Sequence, residues 1–133
     1  MELMAKYIPL EDLEVYKISK QLGSNGWEIY STFDWKIKKI IGDQFITAID
    51  SIAANIAEGY GRFHYLDKVR FYYHSRGSLF EARYWYELLV SRKIVTQERK
   101  DMLQLFSGLT YGINGLINST MKVKNGEKTL ATA

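Results

Sequence analysis

Between its only proline, Pro9, and Lys122 the chain has no long Pro/Gly/Ser-rich linker, and its apolar residues return every three or four positions, the period of an amphipathic helix. In the first run Glu11 and Asp12 would complement the positive end of a helix dipole, ahead of Val15, Ile18, Leu22, Ile29 and Phe33. The interruption Gly23-Ser24-Asn25-Gly26 predicts a bend or a loosened turn there. A second helix is expected from Lys38 or Lys39 to about Glu58, with Ile41, Phe45, Ile49, Ile52 and Ile56 on one face. Gly59-Tyr60-Gly61 would end it through residues able to take positive φ. A third, from about Leu66 to Arg92, turns Phe71, Ser75, Leu79, Ala82, Tyr86 and Leu89 inward, with Trp85 at the margin.

Thr96 is the expected cap of a fourth helix, with Glu98 in its first turn and Arg99 where a capping box wants Glu or Gln. Its stripe is Met102, Leu105, Phe106, Leu109, Ile113, Leu116 and Ile117. Gly108, Gly112 and Gly115 share one flank, which would let a neighbouring helix come close. Four such helices on short connections are most economically packed as an all-α, antiparallel up-down-up-down four-helix bundle. With 133 residues, 47% of them hydrophobic, one core is expected and a second domain is not. The bundle is assigned to residues 1–124 and a flexible, frayed C-terminal tail to residues 125–133.

Polar residues run unusually close to this core. Ser51, Asn55, Glu58 and Arg62 share one flank of the second helix, and Ser75-Arg76-Gly77-Ser78-Leu79-Phe80-Glu81 mixes charge and apolar groups in the same way on the third. The two stretches are expected to face each other in a buried network of Asn55, Glu58, Arg62, Arg76, Ser78 and Glu81. The arginines could instead face phosphate; ion pairs with Glu58, Glu81 or Asp50 are the preferred reading.

The outer faces are also unusual. Ile46, Ala53, Ala54 and Ala57 make a dry, small-residue face on the second helix, and Tyr73, Phe80 and Tyr84 line up around Gly77 on the third. Burial between subunits is the preferred explanation, with Ala53, Ala57, Tyr73, Phe80 and Tyr84 as interface candidates. Two patches that differ favour a ring over a two-fold dimer.

Asn55-Ile56-Ala57-Glu58-Gly59, followed by Gly61-Arg62, then Gly77-Ser78-Leu79 and Glu81, with Leu13-Glu14-Val15-Tyr16-Lys17 near the start, resembles the 23S rRNA intervening-sequence protein family. These four-helix-bundle proteins are encoded within insertions in bacterial large-subunit ribosomal RNA genes. The similarity spans roughly Leu10 to Lys122. It implies a left-handed antiparallel bundle, assembly into a homopentamer, and no known enzymatic activity. It also takes in accessory proteins of diversity-generating retroelements, which bind nucleic acid and a reverse transcriptase through a basic pentameric barrel. By that resemblance Asn55, Glu58, Arg62, Ser78 and Glu81 are structural determinants, not catalytic ones. The chain departs from the family pattern at Phe33-Asp34-Trp35, where relatives often have a proline after the aromatic residue.

Reaction chemistry finds little support. The absence of cysteine excludes disulfides and thiolate metal sites. Glu58 and Glu81 are the acids expected inside, but the Glu-x-x-His pairs of a bundle di-metal site are missing, and His64 and His74 stand alone. Ser78 has no triad partner, and the glycines form no phosphate loop. No catalytic residue, cofactor or metal is therefore expected. The N-terminal residues Met1 to Tyr7 lack an export pattern and no run is long enough to span a bilayer, so a cytoplasmic protein without membrane contact is expected.

The chain leans basic, with a formal charge of +3. Lys36, Lys38 and Lys39 lie in the first connection, Lys68 and Arg70 follow the second, and Arg92, Lys93, Arg99 and Lys100 surround the third. The first and third would share one end of an up-down bundle, with Lys6 and Lys122 at the opposite end or beyond. A ring repeating that end would attract nucleic-acid backbone without reading bases. Tyr60, Phe63 and Tyr65 beside Arg62 would either stack on unpaired bases or pack beneath a solvated helix end. The expected function is a non-catalytic homo-oligomer that binds structured RNA or a ribonucleoprotein. The alternative is a scaffold whose partner is another protein, such as a reverse transcriptase.

Overall fold

The computed structural model describes residues 8–126; Lys6 and tail residues 127–133 lie outside them. A 3-10 turn, Leu10–Asp12, leads into α1 (Glu14–Ser31). The chain then enters a one-turn helix, Trp35–Ile37, and a π turn, Lys38–Gly42, that run straight into α2 (Asp43–Tyr60). Two further helices, α3 (Tyr65–Ser91) and α4 (Lys100–Lys124), complete four long helices, with no strand among the described residues.

Each helix packs chiefly on two others, α1 on α2 and α4, and α3 on the same two, so the four enclose one core. Leu22, Phe45, Ile49, Ile52, Ile56, Leu79, Tyr86, Leu89, Phe106, Leu109 and Ile113 are completely buried there. Burying each large side chain stabilises the fold by roughly 1.5–3 kcal/mol before chain entropy is counted. Contacts between neighbours pair rising with falling residue numbers. Gly112 lies against Val15 while Asn25 reaches Asp101, and Gly59 lies against Tyr72 while Ser75 reaches Ile52.

The glycines of α1 do not bend it. The helix runs unbroken through Gly23-Ser24-Asn25-Gly26, and a β-carbon on Gly26 would stand 2.6 Å from Ile49 Cδ1, so this glycine brings α2 close. Ile46, expected on an outer face, is buried at the same contact. Gly59 and Gly61 likewise keep negative φ; the first sits under Tyr72 and the backbone of Lys68. Of the α4 glycines only Gly112 is in tight contact, 3.0 Å from Val15 Cγ2 by its virtual β-carbon, and Gly115 faces open space.

Other differences have local causes. Glu11 and Asp12 occupy the 3-10 turn before α1. The second helical segment starts earlier than its charges suggested, because Asp34 caps it by accepting a bond from the Ile37 N–H at 2.9 Å. Phe71 is only half-buried; Val69 and Tyr72 take the inward positions at the start of α3. Thr96 caps nothing, since α4 begins four residues later with Arg99 before its first turn.

Candidate functional site

The connections from α1 to α2 and from α3 to α4 carry Lys36, Lys38, Lys39, Arg92, Lys93, Arg99 and Lys100. Glu28 near the end of α1 meets Arg99 before the start of α4, and Asn25 meets Asp101, which fixes these connections side by side. Lys36 and Lys39 are exposed around the Asp34-capped turn. Lys38 is half-buried, its Nζ 4.9 Å from the centre of the Tyr30 ring. Tyr30 donates its hydroxyl to Asp43 at 2.7 Å, a bond that pushes the phenol's pKa up. Trp27 stacks on the same ring at 5.3 Å.

Across the end, Arg92 and Lys93 are exposed where α3 stops, and Lys100 where α4 starts. Lys93 has φ 60°. Its N–H donates to the Val90 carbonyl and the N–H of Ile94 to that of Leu89, the bond pair that closes a helix through a left-handed residue. Among the described residues, Lys36, Lys38, Lys39, Arg92, Lys93 and Lys100 are in no ion pair.

Arg99 stands apart from these six. Its guanidinium forks onto Asp101 at 3.1 and 2.6 Å and reaches Glu28 at 3.3 Å, while its backbone N–H donates to the Tyr86 hydroxyl at 2.8 Å. The Arg99 guanidinium holds the Asp101 carboxyl below its ordinary pKa. Asn25 adds a bond to Asp101 at 3.1 Å and takes one from Gln21 at 2.8 Å. Unlike the other six, Arg99 has three of its five guanidinium N–H donors engaged in a clasp between α1 and α4. Sequence reasoning missed the clasp roles of Glu28, Asn25 and Asp101, because the bonds Glu28–Arg99 and Asn25–Asp101 join positions 71 and 76 apart.

The expected buried network between α2 and α3 is also corrected. Glu58 pairs with Arg62 at 2.9 Å one turn on, with both side chains about half exposed, and the Asn55 amide donates to the Ser51 carbonyl within its own helix. Glu81 accepts from Trp85 Nε1, and Arg76 turns to Asn114 on α4 at 2.9 Å. Ser78 borders a shallow groove with Glu81, Thr47 and Ser51. For Glu58, Asn55 and Glu81 a partner one turn away at an exposed or part-buried site costs less desolvation than a buried one across the helices. A fully buried polar link between these helices is made by Ser75 Oγ, which donates to the Ile52 carbonyl at 2.8 Å.

At the opposite end Lys68 donates to the Tyr60 carbonyl and is half-buried, which lowers its pKa. Tyr60 is half-buried, with its hydroxyl donating to the Ile8 carbonyl, whereas Phe63 is 87% exposed and Tyr65 43%. Arg62 and Arg70 both lie over the Phe71 ring. On the flank of α3, Tyr73, Phe80 and Tyr84 are about half exposed, and Gly77 between them meets nothing within 4 Å. Ala53 and Ala57 are partly buried on α2. No described helix is long and apolar enough to cross a membrane.

A family model described as 23S rRNA-intervening sequence protein matches residues 11–114. No curated protein matches the chain.

Proposed function

The chain belongs to the 23S rRNA-intervening sequence protein family, and from that membership and its basic end we propose a non-enzymatic, homo-oligomeric bundle that binds nucleic acid, such as structured RNA. The observation that carries this reading is the meeting of Lys36, Lys38, Lys39, Arg92, Lys93 and Lys100 at one end with no ion pair to a carboxylate among the described residues. Cations without carboxylate partners cost least to bring to phosphate, and binding releases counterions from the nucleic acid. The proposed contact is with the phosphate backbone, which positions the ligand without carrying sequence information.

The proposal includes the up-down-up-down arrangement to which the opposed contacts of neighbouring helices lead. It also includes a ring, with the pentamer implied by the family resemblance. The exposed aromatic flank of α3 differs in shape from the small-residue face of α2, so joining them is a head-to-tail contact that closes by rotation. A ring would bring several copies of the basic end around one axis. A cytoplasmic location and the absence of membrane contact belong to the same proposal.

Titration of the purified protein against RNA at several salt concentrations tests it. Binding should weaken steeply with salt, and neutralising Lys38, Lys39, Arg92 and Lys93 together should flatten that dependence. No salt-sensitive binding even at low ionic strength would overturn the reading. The Tyr73, Phe80 and Tyr84 flank supports a second reading, a protein scaffold with no nucleic-acid contact, for which a reverse transcriptase or other protein is the partner. Light scattering that reports a monomer would remove the ring.

A further inference from the structure

Resting on the proposed binding of nucleic acid and going further, we infer that the lysine-rich end takes unpaired nucleotides, with Trp35 and Trp27 as the surfaces on which bases stack. Trp35 is 74% exposed, although it opens the one-turn helix that Asp34 caps. Its backbone is therefore fixed while its ring stands in solvent. An indole contributes nothing to the core in that position, and Lys36, Lys38 and Lys39 follow it within a single turn.

Trp27 is 58% exposed, and its inner face rests on Tyr30 at 5.3 Å with the two rings 27° from parallel. Tyr30 is itself held by its bond to Asp43 and carries Lys38 Nζ against its ring. An indole braced from beneath loses little freedom when a base settles on it. Aromatic faces of this kind take any base, because every base has a π-face, and the neighbouring ammonium groups follow the phosphates. A duplex hides its base faces and can use only the lysines. Three lysines against the single carboxylate of Asp34 leave the charge beside Trp35 net positive, which favours a polyanion over a neutral apolar partner.

The test uses the full chain, an oligouridylate of about 12 nucleotides, a duplex of the same length, and inorganic polyphosphate as an anion without bases. Affinity is followed by anisotropy or competition, and stacking by tryptophan emission. The third tryptophan, Trp85, is half-buried with its Nε1 bonded to Glu81, and serves as background. Oligouridylate should quench the emission and polyphosphate should not. Trp35→Ala should weaken oligouridylate binding about tenfold and duplex binding by less than about twofold, and Trp35→Phe should restore most of the loss. Binding without quenching, or equal affinity of Trp35→Ala for the single strand, would overturn the stacking inference and leave the electrostatic reading intact. Failure of all three probes to bind at low salt would instead remove the electrostatic reading, and the inference with it.

Discussion

Replacing Lys93 by glycine should make the protein more stable and at the same time a poorer ligand for nucleic acid. Lys93 occupies the left-handed position after α3, with φ 60°, where its own N–H and that of Ile94 bond back to Val90 and Leu89 at 3.0 and 2.9 Å. Glycine is the ordinary residue there. A β-carbon in that region costs about 1–2 kcal/mol, while the greater freedom of glycine in the unfolded chain takes back about 0.5–1 kcal/mol. Lys93→Gly should therefore gain about 0.5–1 kcal/mol, seen as a rise in Tm of roughly 2–4 °C. Lys93→Ala is the control, since it removes the charge and keeps the β-carbon; its Tm should stay near that of the parent. Either change should reduce the slope of log affinity against log salt by about 0.7 on a single strand. Thermal unfolding by circular dichroism and anisotropy titrations over a salt series measure the two effects. A glycine variant no more stable than the alanine variant would refute the backbone argument. A salt slope unchanged in both would remove Lys93 from the phosphate contacts.

Two further outcomes follow from contacts inside the bundle. Gly59→Ala would place a β-carbon 2.7 Å from Tyr72 Cε1 and 3.0 Å from the Lys68 carbonyl. Crowding of about 1–3 kcal/mol against about 1 kcal/mol of helix propensity gives a loss of up to about 2 kcal/mol in urea unfolding, whereas Gly115→Ala, with nothing within 4 Å, should gain about 1 kcal/mol. Because Arg99 depresses the Asp101 carboxyl, its contribution is complete above the unfolded value near 3.8 and is lost as pH falls through the lower folded value. Asp101→Asn should remove that part of the acid limb, and at neutral pH should cost no more than about 1 kcal/mol, since both partners are partly exposed. Unfolding midpoints measured across the acid range check this.

The helices were legible because burial imposes a period. Ile41, Phe45, Ile49, Ile52 and Ile56 are spaced for one face, and all are buried. Glycine was read less well, because its two uses look alike in a sequence. Gly26 and Gly59 sit where two helices touch, and only the partner's atoms distinguish that from a bend or a turn. The central polar motif misled for a related reason. Glu58 and Arg62 lie four positions apart, so the carboxylate in the last turn of α2 meets the guanidinium just past the helix end without an acid from α3. The closeness of the two basic connections was legible from the alternation of helices, but the exposure of Trp35 was not. An aromatic residue beside lysines carries no sign of whether it points inward, and here the Asp34 cap decides.

Seven basic residues near one end count alike in a net charge, and partners are what separate them. The planar fork of Arg99 fits the two oxygens of Asp101, and a third nitrogen remains for Glu28, so its charge is balanced by carboxylates of the chain at a partly exposed site. The lysines offer a compact ammonium on a flexible stem and are in no ion pair among the described residues. Arg99 therefore serves this end by position. It ties the start of α4 to α1 and, through its backbone bond to Tyr86, to α3 as well. Lys93 sits in its own left-handed turn and Trp35 in its capped one, so on the proposed reading nucleic acid would meet cations carried on turns that are already formed.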